Sequence, residues 1–289
     1  MTQHAPAIVA VVGGGCMGAG IAQVFATLGS IVTVAEAGDR AAAHARIANG
    51  LDAAAAKGKL PGTMAEEVLD RVRMVGDIAD LPADATLLVE AVPEDIALKL
   101  DVLASVEQTV GQDTVIASNT SSLPIGELGA ALADPARFLG MHFFNPVPVS
   151  RLVEIVRSAV TGEATVTAVR NWVAGLGKEG IVVNDFPGFG TSRLGVALGL
   201  EAIRMLEDGV ADAEAIDRAM ELGYRHAMGP LRSTDLVGLD VRLAIAEHLA
   251  TDLGSRFEPP QLLREKVSRG ELGRKTGRGF HTWDTKETR

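Results

Sequence analysis

The sequence predicts an α/β chain: a doubly wound, mostly parallel β-sheet with an inserted helical pair, followed by an all-α C-terminal region. Three observations carry this. Gly13, Gly15 and Gly18 stand at GxGxxG spacing between a short β-branched run and a helical pattern. Short apolar runs then alternate with helical stretches as far as residue 183. Beyond Gly188 nothing has the pattern of a strand.

Ile8, Val9, Val11 and Val12 read as a strand buried on both faces. In the loop that follows, one glycine allows the tight turn, one lets backbone approach a pyrophosphate, and one lets helix and strand touch. Gly13, Gly15, Met17 and Gly18 are therefore the expected cofactor contacts of this loop. Ile21, Val24, Phe25 and Leu28 recur at helical intervals, and such a helix starts with N–H groups aimed at phosphates. A second strand over residues 31–34 leads to Glu36, where an acid can hold both hydroxyls of an adenosine ribose. Strand, loop, helix, strand and acid in this order are Rossmann-type and predict a bound dinucleotide. A carboxylate at position 36 repels a 2′-phosphate and favours NAD, while Arg40 is close enough in sequence to leave NADP open.

A chain of 289 residues is long enough for two domains. Its formal charge of −10 argues against a nucleic-acid partner, which needs a basic face. No apolar run approaches a bilayer span, and residues 1–6 lack the basic and apolar regions of a secretory signal, so no membrane role and a cytoplasmic location are expected. Cys16 is the only cysteine, which excludes an internal disulfide and a cysteine metal cluster; no metal is expected.

Residues 40–60 are helical and alanine-rich, and a second helical stretch covers residues 64–72, with Pro61 and Gly62 between them. This pair interrupts the simple repeat. Lys57 and Lys59 near its tip read either as a solvated helix end or as a landing place for the phosphates of a large substrate. Strands are expected at 72–75 and 86–92, closed by Pro93, then an amphipathic helix at 94–110 with Ile96, Leu100, Leu103 and Val106 on one side. A short strand at 115–117 ends in the polar cluster Ser118 to Ser122, at the carboxyl end where ligands of such sheets gather. A strand at 138–141 ends in His142. Residues 152–156 alternate, so that Leu152, Glu154 and Val156 share a face. A helix at 164–176 and a strand at 181–183 complete a first domain, residues 1–184, and residues 185–188 read as a linker to a helical domain, residues 185–289. There, residues 194–206 are apolar nearly all round, as in the central helix of a bundle or a helix that also packs on a second copy, which points to a homodimer. Further helices are expected at 212–222, 236–253 and 261–269.

A nicotinamide site implies hydride transfer, and the substrate side then needs a group to take the hydroxyl proton. Histidine suits this because its ordinary pKa is near neutrality. Of six histidines, His142 is the one at a strand end in the nucleotide domain. Glu154 lies within an otherwise apolar strand, where a carboxylate without a partner is costly. A carboxylate on the second ring nitrogen would fix the tautomer and steady the imidazolium. Arg151 and Arg157 are the alternative partners for Glu154.

The motifs GGGCMGAGIAQVFA, VEAVPED, SNTSSLPI, GMHFFNPVP, LVEIV, DFPGF and KTGRGF, spread over nearly the whole chain, resemble those of the L-3-hydroxyacyl-CoA dehydrogenases, especially the short bacterial 3-hydroxybutyryl-CoA type. The resemblance implies a Rossmann domain with an inserted helical pair, a helical second domain that dimerises, and NAD-linked interconversion of 3-hydroxyacyl-CoA and 3-ketoacyl-CoA. Position by position, it implies His142 as general acid/base and Glu154 as its charge partner. Ser121 would hydrogen-bond the substrate oxygen and touch the cofactor. Glu94, Lys99, Asn145 and Lys275 would be further cofactor contacts, and Lys57 and Lys59 would receive coenzyme A phosphates. The chain departs from the family at Ser192, where DxPGFxxNR has asparagine; serine offers one rotating hydroxyl in place of a longer donor and acceptor. Ser192 is still expected to position substrate, directly or through water. Two rival readings share the scaffold: a dehydrogenase of a free hydroxy acid or sugar acid, and a non-catalytic dinucleotide-binding protein.

Overall fold

The computed structural model describes residues 5–60 and 65–284, and the expected break at Pro61 and Gly62 lies outside them. Its strands are β1 (Ile8–Val12), β2 (Ile31–Ala35), β3 (Val72–Val75), β4 (Leu87–Glu90), β5 (Val115–Ser118), β6 (Phe138–Phe143), β7 (Leu152–Arg157) and β8 (Glu179–Asn184). They form one sheet in the order β3-β2-β1-β4-β5-β6-β7-β8. All neighbours are parallel except β6 and β7, which run antiparallel. The order reverses between β1 and β4, and a doubly wound sheet opens a crevice at the carboxyl ends there.

The helices of this region are α1 (Cys16–Leu28), α2 (Arg40–Ala56), α3 (Ala65–Leu69), α4 (Ile96–Thr109), α5 (Ile125–Gly129) and α6 (Glu163–Gly175). Their ends follow from local chemistry. Gly29 closes α1 at φ 106°, and the carboxylates of Asp39 and Asp95 accept from backbone N–H groups in the first turns of α2 and α4. The second member of the inserted pair is shorter than the sequence suggests: α3 stops at Leu69, and Val72 starts β3. The core joins Val9 and Val11 of β1, Ile21 and Phe25 of α1, Ile47 and Leu51 of α2 and Val89 of β4, all fully buried.

A second compact unit begins at Pro187, the first ending at Phe186. It contains α7 (Thr191–Glu207), α8 (Ala213–Tyr224), α9 (Pro230–Val237), α10 (Leu239–Leu253) and α11 (Gln261–Ser268). One expectation is corrected here. The single helix over 236–253 is two helices, because Gly238 at φ 102° breaks the run between α9 and α10. Within the unit, Val196, Leu200 and Ile203 of α7 are buried, whereas Leu194 is 73% exposed.

Candidate active site

The glycine loop fits a dinucleotide. Gly13 has φ 98°, and a Cβ there would stand 2.7 Å from the carbonyl oxygen of Ala91. A Cβ on Gly18 would fall 1.8 Å from the Gly13 carbonyl oxygen, so helix and loop touch only because both side chains are missing. Gly15 precedes α1, and a Cβ there would meet nothing within 4 Å, which leaves open space over a helix end that carries no side-chain cap. That is the cradle a pyrophosphate requires. Met17 lies in the first turn of α1 and is half-buried. Glu36 follows β2 directly, its Oε2 accepting from Gly14 N at 2.7 Å and its Oε1 from Gly38 N at 2.8 Å. The carboxylate is thereby fixed beside the loop.

Across the crevice, β4 and β5 present a connected set of polar groups. Glu90, fully buried, accepts from Lys99 Nζ at 2.7 Å, from Val92 N at 2.7 Å and from Ser118 Oγ at 2.5 Å. Lys99 Nζ also stands 3.5 Å from Glu94. Glu94 in turn accepts from the Thr120 hydroxyl at 2.6 Å and from Ser121 N at 2.9 Å and Oγ at 3.1 Å. Burial pushes the Glu94 carboxyl up, but the Thr120 hydroxyl, the Lys99 charge and the Ser121 donors outweigh it and hold the group below the ordinary carboxylate value. Lys99 is only 1% exposed. Where the sequence suggests a cofactor contact, the structure shows an internal counter-ion that bears on the crevice through Glu94. Glu90 was not singled out in the sequence as a site residue, and Ser118 only as the first of the polar cluster after the strand at 115–117. The signal for Glu90 was available, since an acid inside the apolar run LLVEAV is the same anomaly as Glu154 inside LVEIV.

His142 lies within β6, one residue before its end, and not beyond the strand as the sequence suggests. Antiparallel pairing sets it opposite Glu154 of β7. Opposed residues of adjacent strands share a face, and Nδ1 of His142 stands 2.9 Å from Oε2 of Glu154, both side chains being buried. Arg157, one alternative partner for that acid, pairs with Glu163. The Phe144 ring lies 4.4 Å from the imidazole, centroid to centroid. The next residues, Asn145 and Pro146, are joined by a cis peptide bond, and Asn145 Oδ1 is 3.6 Å from Cys16 Sγ of the glycine-loop helix. The first unit thus brings the glycine loop, Glu36, Glu94, Ser121, His142, Glu154 and Asn145 onto the carboxyl-end side of one sheet.

A groove of about 940 Å³ runs along α1 and α2 and is closed by residues 145–149 and 175–178. Arg46, Lys57, Lys59 and Lys178 line it. Lys57 and Lys59 are exposed. Lys178 instead donates to the carbonyls of Val147 and Ser150, at 2.6 and 2.5 Å, and braces the segment after the cis bond; burial pushes its pKa down. In the second unit, Ser192 lies half-buried in the first turn of α7, and Lys275 is ion-paired at 2.6 Å with Asp240. Among the described residues no cluster of His, Cys, Asp and Glu could hold a metal ion, and no helix is long and apolar enough to cross a membrane.

Fold and loop define a dinucleotide-binding oxidoreductase class. Comparison with known proteins narrows this. Residues 8–186 match the 3-hydroxyacyl-CoA dehydrogenase NAD binding domain, and residues 188–283 the 3-hydroxyacyl-CoA dehydrogenase C-terminal domain. A 3-hydroxybutyryl-CoA dehydrogenase of Mycobacterium tuberculosis is 43% identical over 280 residues, covering 95% of this chain and 98% of its own. A probable 3-hydroxybutyryl-CoA dehydrogenase of Bacillus subtilis is 40% identical over 281 residues, covering 96% and 98%. The crystal structure of (S)-3-hydroxybutyryl-CoA dehydrogenase from Ralstonia eutropha superposes with a TM-score of 0.91 at 39% identity, covering 97% of this chain and all of that one. The chain belongs to the 3-hydroxyacyl-CoA dehydrogenase family, and its cofactor is NAD.

Proposed function

We propose that the protein interconverts short-chain (S)-3-hydroxyacyl-CoA, 3-hydroxybutyryl-CoA among them, and 3-ketoacyl-CoA, with His142 and Glu154 as the proton-handling pair. The observation that carries this is the 2.9 Å contact between Nδ1 and a buried carboxylate. It orients the ring so that Nε2 handles the substrate proton. In oxidation, the C3 hydroxyl gives its proton to Nε2 of neutral His142 as the C3–H bond breaks and a carbonyl forms. The nicotinamide, when bound, supplies the hydride acceptor. Glu154 stabilises the imidazolium; at about 4 Å and an effective dielectric of about 20 that attraction is about 4 kcal/mol before desolvation. In reduction, His142 returns the proton to the nascent alkoxide.

Ser121, steadied by Glu94, is assigned to the substrate oxygen. The glycine loop and Glu36 would hold the pyrophosphate and adenosine ribose, with Glu94 and Asn145 as further cofactor contacts and Lys99 acting through Glu94. For Ser192 and Lys275, family resemblance supports contacts with substrate and cofactor respectively. Lys57 and Lys59, exposed on a groove of the first unit, are suited to coenzyme A phosphates. A homodimer in the cytoplasm completes the reading. It is supported by the second unit's own surface, where Leu194, Val210, Leu222 and Tyr224 are each more than 60% exposed; light scattering at micromolar concentration measures the oligomeric state.

The experiment for the activity is NADH absorbance with acetoacetyl-CoA, free acetoacetate and a keto sugar acid in turn. Oxidation with the first alone is expected. Oxidation with a free acid alone would favour the free-acid rival, and none with any of them the non-catalytic one.

A further inference from the structure

Gln23 on α1 is 5% exposed, and among the described residues nothing hydrogen-bonds its carboxamide. The Thr27 hydroxyl bonds the backbone carbonyl of Gln23, at 2.8 Å, and not the amide. The side chain instead lines the groove that runs along α1 and α2. A polar group taken from water without a partner is costly, and one that borders a groove is offset by what the groove binds.

The groove is built around this amide. Gly50 of α2 faces it, and a Cβ there would stand 2.3 Å from Gln23 Oε1, so the carboxamide keeps its place only because position 50 has no side chain. Cys16 and Asn145, whose side chains stand 3.6 Å apart, mark the head of the groove, where Arg46 donates to the Gly14 carbonyl at 3.2 Å. Gln23 follows Cys16 by seven residues, which puts it on the same face of α1 and about 10 Å further along. Lys57 follows Gly50 by the same interval on α2, about 10 Å beyond the amide. Between these ends Val24, Val147 and Leu176 make the walls apolar. The order is thus an uncharged passage with one amide part-way down it and cations at the far end.

We propose that Gln23 binds the outer amide of a pantetheine arm, the one between β-alanine and pantoate, and so makes that arm a determinant of substrate choice. This rests on the reading above that the substrate is a coenzyme A thioester whose acyl end reaches His142, three residues before Asn145, which puts the sulfur at the head of the groove. From that sulfur the inner amide nitrogen is three bonds away and the outer one seven, about 4 and about 8 Å in an extended chain. Only the outer amide comes level with Gln23. A carboxamide offers both a donor and an acceptor, which suits the N–H and C=O of an amide. The diphosphate begins six bonds past the outer amide, about 7 Å further, toward Lys57 and Lys59. An arm that ends before the outer amide would leave the carboxamide buried and unpaired, which is how a polar site rejects an analogue.

The test uses the full-length enzyme with NADH and three thioesters of acetoacetate: those of coenzyme A, of pantetheine and of N-acetylcysteamine, which keeps the inner amide and lacks the outer one. The quantity read is kcat/KM for the pantetheine thioester divided by that for the N-acetylcysteamine thioester. Expected is a wild-type ratio on the order of tenfold or more, falling about tenfold in Gln23→Leu. Gly50→Ala should lower it as well, because the added methyl pushes the amide aside while alanine suits a helix. A leucine variant that keeps the wild-type ratio overturns the proposal, and a loss shared equally by both thioesters is that same outcome. Where the leucine variant does not fold, Gly50→Ala decides, an unchanged ratio again overturning it. A wild-type ratio of one or less overturns it without any variant. Turnover of none of the three thioesters overturns the acyl-CoA reading on which the proposal rests, whereas turnover of acetoacetyl-CoA with an unchanged ratio overturns the proposal only.

Discussion

Glu154 and Glu90 are both carboxylates sealed inside the sheet of the first unit, each in a strand that otherwise reads as apolar, and they have been given opposite partners. Glu154 faces an imidazole that can change its charge, across an antiparallel pair. Glu90 faces the Lys99 ammonium, and adds the Ser118 hydroxyl and the Val92 N–H. A buried acid opposite histidine can take part in moving a proton; a buried acid opposite lysine can only hold things in place. Through Lys99 and Glu94 what it holds is Ser121. The two acids should therefore fail differently when altered.

The largest effect belongs to the titrating side. His142→Gln keeps a polar side chain in the strand but removes the proton carrier, and turnover should fall on the order of a hundredfold or more, with the Kd for NADH unchanged by fluorescence titration. Turnover near that of the wild type would exclude the role. On the other side, Glu90→Gln leaves the Lys99 ammonium buried against a neutral amide. Unfolding stability should drop by about 3 kcal/mol, read as a lower urea midpoint, with a smaller loss of turnover than His142→Gln. An unchanged midpoint would show that Glu94 alone satisfies Lys99.

This contrast also shows how far the chain could be read before folding. The glycine loop, Glu36, the strand order's alternating pattern and the helical second unit were legible because each follows from local period and turn chemistry. The His142 and Glu154 contact was legible as a need, an acid without a partner in an apolar strand, but spacing could not choose between the imidazole and Arg157; the antiparallel register of β6 and β7 made that choice. The pairing of Lys99 was not legible because its partner on β4 is nine residues away and the helix turns it inward, which no local pattern encodes. The break at Gly238 was missed because apolar periodicity runs through it, and only a positive φ shows that the helix stops.

A finer cut through the His142 side comes from Glu154→Gln. In the proposed mechanism the carboxylate supports the imidazolium but does not carry the proton, so its removal should cost less than that of the ring, on the order of a hundredfold at most, given an attraction of about 4 kcal/mol that desolvation reduces. Glu154→Asp keeps the charge at shorter reach and should recover part of the loss. Equal rates for the glutamine and aspartate variants would mean that the acid only fills space between β6 and β7.

The smallest expected effect concerns Glu36, the acid proposed above for the cofactor's ribose. Glu36 has two duties in the structure, since its oxygens already accept from Gly14 N and Gly38 N and so fix the loop's shape. Glu36→Ala removes both the ribose acceptor and this brace, and either loss alone would weaken any dinucleotide. The difference between cofactors separates them. Loss of a brace weakens NADH and NADPH alike, whereas loss of the carboxylate removes a hydrogen bond from one and a repulsion from the other. NADH should therefore lose about tenfold in affinity relative to NADPH, the equivalent of about 1.4 kcal/mol, measured as paired Kd values by fluorescence titration. Equal losses would make Glu36 a third strut, in company with Glu90, and would move the choice of cofactor to other residues of the crevice.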